Sequence, residues 1–86
     1  MTNISLRPRA VRGLAAAPKE YQLRLNEALD VLRNGSFPPH TKKLGGTTNG
    51  YRIRVGRWRI LFILKNEEVD VADIFMKKER GDYRRR

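Results

Sequence analysis

The feature that most constrains this fold is a stretch of strand-like sequence with arginine on one side. Apolar residues alternate with arginine over residues 51–55, so Arg52 and Arg54 share one face of a predicted strand and the apolar residues share the other. Gly56 and Arg57 then make a tight turn, and residues 58–64 are apolar on both faces except at one arginine. This pattern predicts a hairpin whose second strand is central in a sheet.

Two helices are predicted before this hairpin. Residues 9–17 form a short predicted helix, with Pro8 suited to its first turn. Residues 19–34 form a longer helix, and the pair Asn34-Gly35 supplies a left-handed stop. The apolar stripe of the longer helix consists of Tyr21, Leu25, Ala28, Leu29 and Leu32.

Two further strands complete the predicted sheet. Residues 2–6 predict a short first strand and residues 69–76 a last one, in which alternation breaks near Ala72, where a bulge would fit. Residues 36–50 are rich in Pro, Gly, Thr and Asn and are predicted to be a loop. The result is an α+β fold: a small antiparallel sheet, made of the N-terminal strand and a three-stranded C-terminal meander, with both helices packed on one face.

Length and composition narrow the class of protein. The chain has 86 residues, so we expect one domain over residues 1–86 with a single core. It has no cysteine, which excludes disulfides and thiolate metal sites. The longest apolar run, residues 60–64, is far shorter than a membrane span. We therefore expect a cytoplasmic protein with no membrane partner.

Positive charge is the dominant feature of the composition. Nineteen basic and nine acidic side chains give a net charge of +10. Each half carries +5, with eight basic and three acidic residues in 1–43, and eleven and six in 44–86. Such a surplus destabilises an isolated fold through self-repulsion, and it favours a polyanion or an acidic protein as a partner.

The residues able to do chemistry are arginine, lysine and tyrosine. Arg52 and Arg54 lie about 7 Å apart on one strand face, a separation comparable to that of neighbouring RNA phosphates. Arg59 can join them from the adjacent strand, where it interrupts an apolar run and an unpaired charge would be costly. Arg80 and Tyr83 follow the last strand. Guanidinium groups can neutralise the charge that develops in phosphoryl transfer, and a nearby tyrosine can exchange a proton or stack on a base.

A metal or cofactor site is not expected. His40 is the single histidine and lies in the predicted loop. A lone loop histidine is usually a polar surface residue, and no second histidine or carboxylate cluster has the spacing of metal ligands. No motif for a small-molecule cofactor occurs either.

Three blocks of the sequence resemble the RelE/ParE toxins of type II toxin–antitoxin systems. Residues 51–62, YRIRVGRWRILF, are similar to the central hairpin motif of that superfamily, Y/L-R-x-R-V-G-x-[YW]-R-[VIL]-x-[FY]. Residues 42–46, KKLGG, resemble the K-L-x-G stretch that precedes it. Residues 74–84, IFMKKERGDYR, resemble the closing I-x-x-R-x-x-Y motif. The strand and helices before these blocks fit the same layout, so the resemblance covers nearly the whole chain.

The resemblance implies an activity and a site. Members of the RelE branch are ribosome-dependent mRNA endonucleases, which cut in the ribosomal A site with the 2′-hydroxyl of the RNA as nucleophile and no metal. By resemblance, Arg59 and Arg80 stabilise the transition-state phosphate, and Tyr83 activates the 2′-hydroxyl or stacks on a base. The residues implied to bind RNA are Arg52, Arg54, Arg57, Lys42, Lys43, Lys77 and Lys78.

The chain departs from the family pattern at two places. Ribonuclease members carry lysines where this chain has Arg52 and Arg54, and lysine acts as an acid more readily than arginine. The closing motif aligns in more than one way, so that Lys77 or Lys78 can take the position of Arg80.

Three functions are open, and all of them include an acidic antitoxin protein as a partner. The first is a toxin that cuts mRNA on the ribosome. The second is a ParE-like member that inhibits DNA gyrase and does not cut RNA. The third is a non-catalytic domain kept as the partner of its antitoxin. The combination of Arg59, Arg80 and Tyr83 favours the first, because ParE-like members generally lack it.

Overall fold

A computed structural model describes residues 2–77, which form two helices and five strands. The elements are β1 (Asn3–Leu6), α1 (Pro8–Ala16), α2 (Lys19–Arg33), β2 (Thr41–Lys43), β3 (Gly50–Val55), β4 (Trp58–Lys65) and β5 (Glu68–Met76). Neither helix among the described residues is long and apolar enough to cross a membrane.

The strands form one sheet in the order β1-β5-β4-β3-β2. β4 is central, as predicted, and is antiparallel to both of its neighbours. The helices pack on one face, here called the core face, which confirms the predicted α+β layers. Two features differ from the prediction. β1 runs parallel to β5, so the sheet is mixed and not wholly antiparallel, and β2 is a strand within the segment 36–50 that was predicted to be a loop.

The hairpin of β3 and β4 has a two-residue turn. Val55 pairs with Trp58, and Gly56 adopts a φ of +60° between them. A positive φ at the first turn position alone is the pattern of a type II′ turn, whose twist matches that of the strands. The side chain of Tyr21 covers the glycine, since a Cβ there would lie 2.8 Å from the tyrosine hydroxyl. The predicted turn is therefore held in place by α2 as well.

The C-terminus of α2 is closed by the predicted Asn34-Gly35 stop. The backbone N–H of Gly35 donates to the carbonyl of Leu32, and that of Ser36 donates to the carbonyl of Val31. These two bonds, with Gly35 at a φ of +87°, define a Schellman motif. The predicted apolar stripe of α2 faces the sheet: Leu25, Ala28, Leu29 and Leu32 are buried and Tyr21 is half-buried.

A bulge in β5 explains the broken alternation near Ala72. Leu61 pairs with Asp73 and the next residue, Phe62, pairs with Val71, so Ala72 has no partner across the ladder. The extra residue keeps both Val71 and Ile74 on the core face, although they are three positions apart. Phe75 consequently lies on the opposite face, here called the open face.

The first helix approaches β5 so closely that one position must be glycine. A Cβ built on Gly13 would lie 1.7 Å from the backbone oxygen of Ile74. Gly13 weakens the helix by propensity, but it lets the backbone of α1 lie directly on the strand.

A forked ion pair anchors the junction between β1 and α1 to β5. Arg7 donates from Nε to Asp70 Oδ1 at 3.1 Å and from Nη2 to Asp70 Oδ2 at 2.6 Å. The hydrogen bonds from Arg7 lower the pKa of the Asp70 carboxyl below its ordinary value, against the smaller opposing effect of burial. A second ion pair joins Arg9 Nη2 to Asp73 Oδ2 at 3.5 Å, three residues after Asp70 on β5.

Replacing Gly13 with alanine should destabilise the protein, although alanine favours a helix by about 1 kcal/mol. The new methyl group would collide with the backbone of β5, so α1 must shift, and we expect a net loss of about 1–3 kcal/mol in the free energy of unfolding. Urea denaturation measures this loss. Gly45→Ala is the matched control, because a Cβ added at Gly45 would have no other atom within 4 Å. If Gly13→Ala and Gly45→Ala changed the free energy of unfolding equally, the close approach of α1 to β5 at Gly13 would be contradicted.

Replacing Asp70 with asparagine should reduce stability in a pH-dependent way. A carboxyl whose pKa is lowered by folding stabilises the protein above its unfolded pKa, and this stabilisation is lost as the pH falls through the folded value. The difference in thermal midpoint between wild type and Asp70→Asn should therefore be largest near neutral pH. It should shrink as the pH falls below about 3.9, the ordinary aspartate value, and vanish only below the lowered pKa of the folded state. In an Arg7→Gln background the same change should show little pH dependence, and a full effect there would rule out Arg7 as the cause.

Candidate functional site

The open face carries a row of cations set by the strand register. Arg54 on β3 lies directly opposite Arg59 on β4, and Lys42 on β2 lies directly opposite Arg52 on β3. Side chains at such paired positions have Cβ atoms about 4.5–5.5 Å apart. The arginines alternate with buried Ile53, so the predicted division of β3 into an arginine face and a core face is correct.

These side chains line a concave site of about 320 Å³, here called the cationic pocket. Its lining residues are His40, Lys42, Arg52, Arg54, Arg59 and Lys77. Five of the six carry a positive charge, and no acidic side chain is among them. The resulting field favours an anion, and guanidinium groups fit a phosphate in particular because they can donate two parallel hydrogen bonds.

His40 enters the pocket through a local backbone conformation that the sequence did not reveal. Its φ is +66°, in the left-handed region, and its carbonyl accepts a hydrogen bond from the backbone N–H of Arg54 at 3.2 Å. The imidazole Nδ1 lies 3.3 Å from Arg54 Nη2. The unforeseen strand β2 causes this placement, because pairing of Thr41 with Ile53 draws the preceding residue to the sheet.

Two of the arginines are held in different ways. Arg59 donates from Nη1 to the carbonyl oxygens of Gly56 and Trp58, each at 3.0 Å, so the hairpin turn itself positions this side chain. Arg52 Nε is buried and has no hydrogen-bond partner among residues 2–77. An unsatisfied buried donor costs roughly 1–3 kcal/mol, so this side chain is held at an energetic cost.

Not every predicted RNA-binding residue lies in the pocket. Lys43 pairs with Tyr51, whose side chain packs against the core, so Lys43 belongs to the core face at the sheet edge. Arg57 is exposed at the hairpin turn and does not line the pocket, although its carbonyl accepts from the N–H of Lys77 at 2.7 Å. Lys78, Arg80 and Tyr83, all predicted from the closing motif, lie outside the described residues.

The pocket has the chemistry of an anion site. Within residues 2–77 no group of three or more His, Asp or Glu side chains could hold a metal ion. Guanidinium and ammonium groups placed together in this way are donors to which the oxygens of an anion can bind.

Comparison of the whole chain with solved structures identifies its fold. The isolated RelE toxin of E. coli superposes with a TM-score of 0.78 at 18% identity, over 96% of this chain and 92% of that one. The RelB–RelE antitoxin–toxin complex from Methanococcus jannaschii gives 0.76 at 23% identity, over 92% and 96%. The YoeB dimer from Staphylococcus aureus gives 0.68 at 22% identity, over 91% and 97%.

The chain therefore has the same fold as the RelE and YoeB proteins, as the sequence motifs implied. No protein-family model and no curated protein matches the sequence.

The pocket should bind inorganic phosphate or pyrophosphate, and binding should raise the thermal stability. At ten times its Kd, one bound anion adds roughly 1.4 kcal/mol to the free energy of unfolding. Arg54→Gln should raise the midpoint of the unliganded protein slightly, because it relieves repulsion, and should reduce the increment caused by the anion. Differential scanning fluorimetry with pyrophosphate measures both effects.

Arg12→Gln is the matched control, since Arg12 is exposed on α1 and does not line the pocket. It removes the same charge and should leave the anion increment unchanged. If Arg12→Gln and Arg54→Gln reduce the increment equally, the anion responds to net charge and not to the pocket.

Proposed function

We propose that this protein is the toxin of a type II toxin–antitoxin system and that it cleaves mRNA bound to the ribosome without a metal. One observation carries the proposal: Arg52, Arg54 and Arg59 converge with Lys42, Lys77 and His40 in one pocket on the open face of a RelE-like fold. A cation cluster of this density fits the backbone of a nucleic acid, whose phosphates dominate affinity.

The chemistry that fits the pocket is attack by the RNA on itself. The 2′-oxygen attacks the adjacent phosphorus, the bond from phosphorus to the 5′-oxygen breaks, and the products are a 2′,3′-cyclic phosphate and a 5′-hydroxyl. Negative charge accumulates on the phosphoryl oxygens as the new bond forms. Arg59, fixed by its bonds to the hairpin carbonyls, and Arg52, which lines the same pocket, are suited to stabilise that charge.

The same reaction needs one proton removed from the 2′-hydroxyl and one delivered to the 5′-oxygen. Arginine stays protonated in proteins, so Arg52 and Arg54 cannot perform either transfer. We assign one transfer to His40, which contacts Arg54 inside the pocket, and by resemblance the other to Tyr83. Arg80 is proposed, also by resemblance, as a further phosphate ligand.

An acidic antitoxin is the proposed protein partner. The Methanococcus jannaschii structure is an antitoxin–toxin complex, which supports such a partner for this chain as well. The net charge of +10 supports an acidic sequence in that partner, since complementary charge speeds encounter and holds register.

The decisive experiment adds the purified protein to ribosomes programmed with a defined mRNA and maps new 5′ ends by primer extension. We expect cuts in the A-site codon only when ribosomes are present. Arg59→Ala should lower the cleavage rate by about 100-fold or more, the usual effect of removing one transition-state donor. Arg80→Ala, Tyr83→Phe and His40→Gln should also slow cleavage.

Arg12→Ala on α1 is the control and should cleave at the wild-type rate. Intact mRNA together with toxicity in cells would overturn the ribonuclease and direct attention to DNA gyrase. Intact mRNA without toxicity would leave a domain that only binds an antitoxin.

A further inference from the structure

Three apolar side chains lie on the open face, away from the core. Leu61, Ile63 and Phe75 are half-buried, whereas their strand neighbours Ile60, Phe62 and Ile74 are at most 1% exposed. The three belong neither to the core cluster nor to the partly buried residues packed against it. They are here called the apolar strip, which continues the sheet surface beyond the cationic pocket. On β5 this strip includes the carboxylate of Asp73, which lies directly opposite Leu61 and forms an ion pair with Arg9.

Phe75 is the aromatic member of this strip, and the register places it at the pocket margin. It lies directly opposite Arg59 on β4, and Arg59 lies directly opposite Arg54 on β3. Lys77, which also lines the pocket, follows Phe75 by two positions along the chain. One row across the sheet thus reads arginine, arginine, phenylalanine.

β1 ends before it reaches Phe75. β1 pairs with residues 68–71 of β5 and stops there. The bulge at Ala72 then directs Phe75 to the open face. Among the described residues, no strand pairs with β5 beside Phe75 on that side, and α1 lies there instead, with Gly13 against the backbone oxygen of Ile74. The Phe75 side chain is half-buried on the open face.

From this arrangement we propose that Phe75 forms a base-stacking subsite for single-stranded RNA, with Leu61 beside it as an apolar floor. A nucleotide carries its phosphate and its base on one sugar, so a subsite for both needs cations and an aromatic ring side by side. Every base has a π-face, and stacking is open only to a base that is not enclosed in a duplex. The subsite rests on the proposed RNA-cleaving function, and it specifies unpaired RNA as the substrate class.

The test measures binding apart from cleavage. Fluorescence anisotropy follows binding of a short 2′-O-methylated RNA oligomer, which lacks the attacking hydroxyl, and of the same oligomer made abasic at each position in turn. The proteins are wild type, Phe75→Ala, Phe75→Leu, Phe75→Trp and Met76→Ala. Met76 is the matched control, because it is 50% exposed, adjoins Phe75 in sequence and lies opposite core residue Trp58.

Phe75→Ala should weaken binding of the intact oligomer by about 5- to 100-fold, the effect of losing one stacking partner. One abasic oligomer should bind wild type more weakly by a similar factor and should bind Phe75→Ala with no further loss. Phe75→Trp should keep the affinity, and so should Met76→Ala. Phe75→Leu keeps an apolar side chain on the strand, so it should fold even if the alanine variant does not, and it should behave as Phe75→Ala does.

Two contrary results are distinguishable. If wild type binds RNA in a salt-dependent way and neither Phe75→Ala nor Phe75→Leu changes that affinity, the base subsite is wrong and the proposed function stands. If removing a base from the oligomer lowers its affinity by the same factor for wild type and for Phe75→Leu at every position, no base stacks on Phe75, and the subsite is again wrong. If wild type binds no RNA oligomer and cuts no mRNA on ribosomes, the proposed function fails together with the subsite.

Discussion

The register between β3 and β4 is the constraint on which the rest of this structure depends. Ile53 faces Ile60 in the core, and Arg54 faces Arg59 on the open face. Because side chains alternate along a strand, a slip of one residue would turn the arginines of β3 into the core and its apolar residues to solvent. The turn at Gly56 and the tyrosine that covers it fix this register. Core formation and assembly of the cationic pocket are therefore one event.

Much of this arrangement could be predicted from local sequence. The alternation in β3, the apolar run of β4 and the stripe of α2 each follow from a period of two or 3.6 residues, and the structure confirms them. The convergence of Arg52, Arg54 and Arg59 also follows from a tight hairpin. The roles of these arginines in binding and catalysis stay predictions, as do those of Arg80 and Tyr83.

What sequence reasoning missed depends on contacts between distant segments. Residues 41–43 form too short a strand to show a period, and they exist as β2 because β3 offers a free edge. His40 looked like an ordinary loop residue for the same reason. The sequence alone did not show which face of the sheet Phe75 occupies, because alternation in this strand is irregular. The bulge at Ala72, opposite Leu61 and Phe62, determines that face. In each case a pairing partner, and not the local residue pattern, determines where the side chain lies.

The parallel pairing of the first strand with the last has a consequence for biosynthesis. Asn3 pairs with Glu68 and Leu6 with Val71, so β1 has a pairing partner only after β5, more than 60 residues later in the chain, has been synthesised. Contacts of such large sequence separation form slowly, because the chain between them must first be ordered. A nascent chain cannot complete this sheet until residue 71 has been synthesised and is free to pair. The finished fold therefore requires residues from both ends of the described range, and no N-terminal stretch that stops short of β5 can complete the sheet.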